Sequence, residues 1–435
     1  MSKPRTLRLV TLGLCSILLG GCSHASGYLD FWGKQHDLKM AFKEEPSAAL
    51  LREINPGDCF LLVGKVAAGK GRGKPILVVA VTDKFQQREI VAERILQAPV
   101  EFYQAYLPEG SYDLSFFSDL DGNGFFDAAE LVGQSSGAPI AVSRSAAGDG
   151  LTVSGPSFTL DLEHPISSPL PVKVAVREQS YTYASLKDGF FDPKYGPLGL
   201  YDPKSLMVHT QRYLFSLEKF DPRKTLVVFV HGVGGTPRDF DYLVDGLDKA
   251  RYQPWFFYYP SGLPLQKLGL LFADLLKYAD QSEAFPLQRV IVVAHSMGGL
   301  VALSALEQLG AGGMPSYLKG FVSFNSPYGG VASAQSSVDH APAVVPAWRD
   351  VAPGSAFLER LYQGRTRGEQ LPFHLFFGYT LDDSGDGTIA LSSQLAPQVH
   401  LDASKSYGFN ATHVSILNDE SVRQTFTRTL AVLDR

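Results

Sequence analysis

Cysteine is scarce in this chain, three in 435 residues at positions 15, 22 and 59, which leaves little material for a disulfide framework. Positive charge is not in excess either: 39 Lys and Arg stand against 44 Asp and Glu, a net charge of -5. That balance gives no electrostatic footprint for nucleic acid. No internal repeat is present. The apolar run from Leu9 to Leu19 is too short to span a bilayer comfortably. What is abundant is hydrophobic side chain, 45% of the total, in a chain long enough for two or three domains with packed cores.

The most informative stretch is Arg289 to Leu300, R-V-I-V-V-A-H-S-M-G-G-L. Its four β-branched residues, Val290 to Val293, suit a strand buried on both faces of a parallel sheet. Leu300 to Leu309 then has the composition of a helix, so the chain must turn sharply with Ser296 at the apex. Such a turn strains the apical residue and needs tiny neighbours two places away, which Ala294 and Gly298 supply. The turn lifts the Ser296 hydroxyl above the sheet edge and lets the Met297 amide face a developing oxyanion. A second buried-strand run, Thr225 to Val230, ends in His231-Gly232-Val233-Gly234-Gly235. Elements alternate between strand and helix across this half, which argues for a parallel sheet with helices on both faces.

These motifs resemble the α/β-hydrolase superfamily, particularly its lipases and esterases, whose elbow reads G-x-S-x-G; here Ala294 stands at the first glycine. The resemblance implies that the H-G-x-G-G amide of Val233 is the second oxyanion donor beside Met297. It also implies the chain order serine, acid, histidine. Beyond the acid region lie His400 and His413. His400 falls in the apolar segment Val399 to Leu401 and reads as part of a strand, whereas His413 sits in a loop ahead of helix-like residues and matches the family's base. For the acid, Asp386 in D-G-x-I fits the family's segment, and Asp383 is the competitor nearer the strand end.

At the other end, Lys3, Arg5 and Arg8 precede the apolar run, which closes in Leu19-Gly20-Gly21-Cys22. This looks like the lipobox of bacterial lipoproteins and implies a signal over 1–21, acylation of Cys22 and, with Ser23 following, the outer membrane of the cell envelope. Cys15 would leave with the signal and Cys59 would stand alone as a small core residue, so no internal disulfide would form.

Residues 22–57 read as a tether and 58–175 as a small antiparallel sandwich of short strands. Inside it Asp119, Asp121, Asn123, Gly124, Asp127 and Glu130 have the spacing of a calcium loop. The preceding segment alternates like a strand, however, and a bare hairpin tip is the competing reading. Residues 176–222, rich in Pro, Gly and aromatics, read as a connection wrapping a neighbouring domain, with an edge strand near Tyr213 to Leu217. Residues 223–435 form the hydrolase-like domain. Within it 328–354 fits a lid or a loop packed on the domain face.

The expectation is therefore an α/β hydrolase fold, a mostly parallel sheet flanked by helices, preceded by a small all-β sandwich-like domain. The implied activity is cleavage of carboxylic esters, lipid or acyl esters foremost, by a membrane-anchored serine hydrolase using Ser296, His413 and Asp386. It requires no cofactor, with calcium an option for the N-terminal domain alone. The alternative is a catalytically idle envelope lipoprotein that binds a partner.

Overall fold

Runs of β-branched and aromatic residues with no polar face form the middle of a seven-stranded sheet in the computed structural model. The structure describes residues 21–44, 60–67, 74–84, 87–96, 100–176, 184–210, 213–282, 285–363 and 371–435. The signal segment up to residue 20, residues 45–57 of the expected tether and Cys59 lie outside the described residues.

The first element is α1 (Gly21–Glu44), which corrects the tether reading for that stretch. Phe31 is buried, and Tyr28 stacks on Trp348 with ring centroids 6.1 Å apart. Phe31 and Tyr28, isolated apolar residues in a polar segment, are thus contacts with a distant surface.

The strand-rich region follows. Phe60–Ala67 pairs antiparallel with Phe102–Leu107 and parallel with Thr152–Ser154 and Phe158–Thr159. A second sheet runs in the order Gln87–Leu96, Ile76–Lys84, Gly110–Phe117, Leu131–Gln134, all antiparallel. Phe60 and Leu62 of the first sheet share a core with Val78, Leu114 and Phe116 of the second. The expected sandwich texture is present, but the first sheet is mixed where an antiparallel one was expected. The parallel partners return by long connections, which short-range alternation does not reveal.

Next come α2 (Gly196–Tyr201) and the edge strand β1 (Leu214–Ser216), then β2 (Thr225–Val230), β3 (Tyr252–Phe257), α3 (Leu265–Asp280), β4 (Val290–His295), α4 (Met297–Gly310) and β5 (Leu318–Phe324). The chain continues through α5 (Ala332–His340), α6 (Pro346–Val351), β6 (Phe373–Tyr379), β7 (Lys405–Asn410) and α7 (Glu420–Leu433). The sheet order is β1-β3-β2-β4-β5-β6-β7, parallel throughout except for β1.

Alternation within β4 explains its composition. Val290, Val292 and Ala294 enter the core on one face, and Ile291 and Val293 enter the core on the other. A strand covered by helices on both sides has no position for a polar side chain. The segment 328–354 is a pair of short helices packed on the domain, with Val345 and Ala347 fully buried. His400 ends a short helix, Pro397–His400, and is not part of a strand. The proline at the first helical position favours that turn over an extended run.

Candidate active site

Ser296 joins β4 to α4 at φ 55 and ψ -133, a region disfavoured for any residue with a side chain. Holding it there costs on the order of 1–3 kcal/mol, which the surrounding packing must offset. The Ser296 amide donates to the Phe324 carbonyl at 2.8 Å, and the Gly299 amide donates to the Ser296 carbonyl at 2.9 Å. Gly298 is required by contact as well as by composition: a Cβ there would overlap the carbonyl oxygens of His231 and Val230. Gly232 is similarly close, its notional Cβ 2.9 Å from the Cβ of Ser296. Gly298→Val should accordingly lose at least about 3 kcal/mol of stability, read by chemical denaturation, or fail to fold. A wild-type midpoint in that variant would mean that the elbow is looser than drawn.

Asp386 and His413, the acid and base expected from the sequence, converge on this serine from beyond the ends of β6 and β7. His413 Nε2 lies 2.9 Å from Ser296 Oγ, and His413 Nδ1 lies 2.7 Å from Asp386 Oδ2. Asp386 is buried, and its Oδ1 accepts from the amides of Thr388 at 2.9 Å and Ile389 at 2.6 Å. Two backbone donors thus fix the carboxylate and leave Oδ2 for the imidazole. Nδ1–H then donates to Asp386, and Nε2 is left to accept from the serine hydroxyl. Asp383 is exposed and accepts only from the amide beside it, Ser384, among the described residues. His400 is also exposed and faces Ser406 Oγ at 3.3 Å, so neither competitor is part of the cluster.

Behind the histidine is a support that the sequence reading did not assign. The His413 amide donates to the Asp386 carbonyl at 2.9 Å. The His413 carbonyl accepts from His295 Nε2 at 2.8 Å and from Asn325 Nδ2 at 3.2 Å. Asn325, at φ 47, in turn accepts the Gly378 amide at 2.6 Å. The backbone of His413 is therefore clamped on both sides, by His295 of β4, by Asn325 just after β5 and by Asp386 in the loop after β6. His295 lies inside the elbow motif, but nothing in sequence spacing says that its ring reaches a carbonyl 118 positions on.

The loop facing the serine has its own clamp. His231 Nδ1 donates to the Gly232 carbonyl at 2.8 Å, and its Nε2 accepts the Tyr259 amide at 3.2 Å. Its ring stacks on Tyr259 at 4.2 Å. The Gly234 amide donates to Ser261 Oγ at 2.9 Å, whereas the Val233 amide has no hydrogen-bond partner among the described residues. Met297 begins α4, where first-turn amides lack partners within the helix. The amides of Met297, beside the serine in sequence, and of Val233, next to Gly232, thus have donor capacity to spare.

Burial holds His231 down at about 4, and burial first, then the neighbouring His413, holds His295 down at about 3. Both rings are neutral in the folded state, while in the unfolded chain they would titrate near the ordinary 6.5. Since protons bind preferentially to the unfolded form, the stability these rings contribute is complete above about pH 6.5 and is lost as pH falls toward 4. For His231 alone the loss is on the order of 3 kcal/mol. Denaturation midpoints should therefore drop between pH 7 and 4, and His231→Gln should flatten part of that drop. A wild-type slope in the variant would remove His231 as its source.

The acidic loop belongs to the strand-rich region, after strand Gly110–Phe117. Carboxylate oxygens of Asp119, Asp121 and Glu130 come within 4.8 Å of one another. Asp119 accepts the amides of Gly122 and Gly124, and Glu130 accepts those of Leu120, Asp121 and Asp127. Asn123 donates from Nδ2 to Asp121 and Asp127. Strand Gly110–Phe117 precedes the loop where a calcium helix pair would need a helix, and backbone amides already shape the turn. Cys22 is the second residue of α1.

Residues 227–431 match the family model described as "Alpha/beta hydrolase family". No curated protein matches the chain. Among solved structures, the mature Bacillus licheniformis lipase BlEst2 is similar at 19% identity and TM-score 0.40, over 51% of this chain and 98% of its own. Aspergillus fumigatus lipase B aligns at 16% identity and TM-score 0.40, over 50% of this chain and 56% of its own. An alpha/beta hydrolase enzyme from a sediment metagenome of the Mar Chica lagoon, Morocco, aligns at 18% identity and TM-score 0.37, over 51% of this chain and 96% of its own.

Proposed function

Because the C-terminal half of the chain, residues 227–431, belongs to the α/β-hydrolase family, we propose that this protein is a serine hydrolase that cleaves carboxylic esters, with lipid or acyl esters as its substrates. The observation that carries the reading is the unbroken hydrogen-bonded line from Asp386 through His413 to Ser296, ending on a hydroxyl held in a strained elbow.

In this mechanism His413 Nε2 takes the Ser296 proton as Oγ attacks the ester carbonyl. The carbonyl oxygen becomes an oxyanion facing the amides of Val233 and Met297, each worth about a hundredfold or more in rate. Asp386 stabilises the imidazolium. His413 then gives its proton to the departing alkoxide, leaving an acyl-Ser296 ester. A water, deprotonated by His413, attacks that ester, and collapse returns the proton to Ser296 Oγ and releases the acid. The protons pass only among Ser296, His413, the departing alkoxide and the attacking water, so the chemistry asks for no metal or organic cofactor.

Apolar residues at the rim support an acyl substrate. Leu381, in the acid loop, is 83% exposed, and Val414, next to the base, is 61% exposed. A p-nitrophenyl ester series should show kcat/KM rising with acyl length from acetate toward palmitate. A steady fall along the same series would restrict the enzyme to small esters. Acylation of Cys22 would hold the protein at the outer membrane, and Cys22→Ala should then fractionate away from membranes; continued sedimentation with them would count against that anchor.

A further inference from the structure

Residues 29–40 of α1 present an apolar stripe that the fold leaves uncovered. Leu29 is 60%, Trp32 40% and Met40 46% exposed. At 100° per residue these three and His36 fall within about 80° of one another on the helix circumference. The opposite face is the one that packs. Phe31 is buried, the Tyr28 hydroxyl donates to the Ala343 carbonyl at 3.2 Å, and Lys34 pairs with Asp202 at 3.2 Å. His24 lies against Gly234, within the loop that borders Ser296. One side of α1 is thus built into the rim of the site, and the other is an apolar strip facing out.

The chain before α1 says what this strip faces. The basic residues, the apolar run and the lipobox-like sequence end at Cys22, which lies in the first turn of α1. An acyl-modified Cys22 would have no slack after it: Leu29 follows by about 10 Å and Met40 by about 27 Å along the helix. No helix among the described residues is long and apolar enough to cross a membrane.

We propose that α1 lies flat in the headgroup region of the bilayer, with Leu29, Trp32 and Met40 entering the acyl boundary. The site entrance is thereby held about one helix diameter, ~10 Å, from the lipid surface. This rests on the anchoring read for Cys22 under the proposed function. The occupant of the stripe is lipid, and the carboxyl edge of the parallel sheet, where Leu381 and Val414 stand exposed, is the edge brought nearest to it.

The test uses the full chain in phosphatidylethanolamine–phosphatidylglycerol vesicles, with and without acyl-brominated lipid. Trp255 is buried and Trp348 is partly covered by Tyr28, so quenching that disappears in Trp32→Ser reports the stripe. Acyl-bromine quenching of the acylated protein, absent in Trp32→Ser, is the expected result. Equal emission in both vesicle types from acylated protein would overturn the proposal. Palmitate incorporation at Cys22 is measured in parallel. Without acylation, persistent quenching keeps the docking face and discards the anchor, and absence of both ends both. Light scattering of vesicle-free protein covers the remaining occupant, since a dimer lost in Leu29→Ser/Trp32→Ser would assign the stripe to self-association and overturn lipid docking. In the triple variant Leu29→Ser/Trp32→Ser/Met40→Ser, hydrolysis of an ester dissolved in the bilayer should fall about tenfold. Hydrolysis of a water-soluble ester should stay at the wild-type rate; equal losses on both would count against docking.

Discussion

Ser296→Ala is expected to lower the turnover of a soluble p-nitrophenyl ester by ~10⁴-fold or more and to end covalent labelling by a fluorophosphonate. The magnitude follows from what is removed. Without Oγ there is no acyl-enzyme, and the neighbouring His413 can at best activate a water held less precisely. The amides of Val233 and Met297 remain, so a residual rate above the uncatalysed one should persist. Folding should be little affected, because the hydroxyl's one hydrogen-bond partner among the described residues is His413 Nε2. Relief of strain at φ 55 does not follow, since alanine has the same Cβ. Unchanged turnover with an unchanged denaturation midpoint would end the reading of Ser296 as the nucleophile, whereas a wild-type protein with neither turnover nor labelling would leave the binding lipoprotein in its place.

The second large effect is a contrast between two aspartates three positions apart. Asp386→Ala should cost ~10³–10⁴-fold in turnover, and Asp383→Ala no more than about twofold. Asp386 also accepts the Thr388 and Ile389 amides, so its removal would loosen the loop as well as the imidazole. Asp386→Asn separates the two effects. The amide oxygen can still accept those backbone donors, but its NH₂ would now face Nδ1 and favour the wrong tautomer of His413. A fold close to wild type with turnover down by thousands would assign Asp386 an electronic and tautomeric part. Comparable losses in the Asp383 variant would transfer that part to the exposed residue.

The site was legible in the sequence wherever its geometry is local. Ala294, Ser296 and Gly298 are recognisable because the elbow sets small, strained and small residues two places apart, even though the clash that Gly298 avoids is with the Val230 and His231 carbonyls of the neighbouring strand end. Similarly, Thr388 and Ile389 donate to a carboxylate two and three residues before them, so the acid loop carries its own turn chemistry. The supporting groups were not legible. His295, Asn325 and His231 are ordinary polar residues in a linear reading, and each acts through a carbonyl or ring brought to it by the sheet. The first helix was misread for a related reason: its apolar residues fall on two opposed faces, so no single stripe marks it. Only the packing of Phe31 and Tyr28 against Tyr201 and Trp348 reveals one face as an interface.

By itself, then, the sequence determined the elbow, the buried parallel strands and the residue types available for acyl transfer, because sterics within a few bonds and burial on two faces leave a direct imprint on composition. Tertiary structure decided which aspartate meets the imidazole, what fixes the backbone of His413, and that the segment after Cys22 is a helix seated on the rim of the site. Those outcomes depend on distances between residues tens to hundreds of positions apart, which the parallel order of the sheet sets.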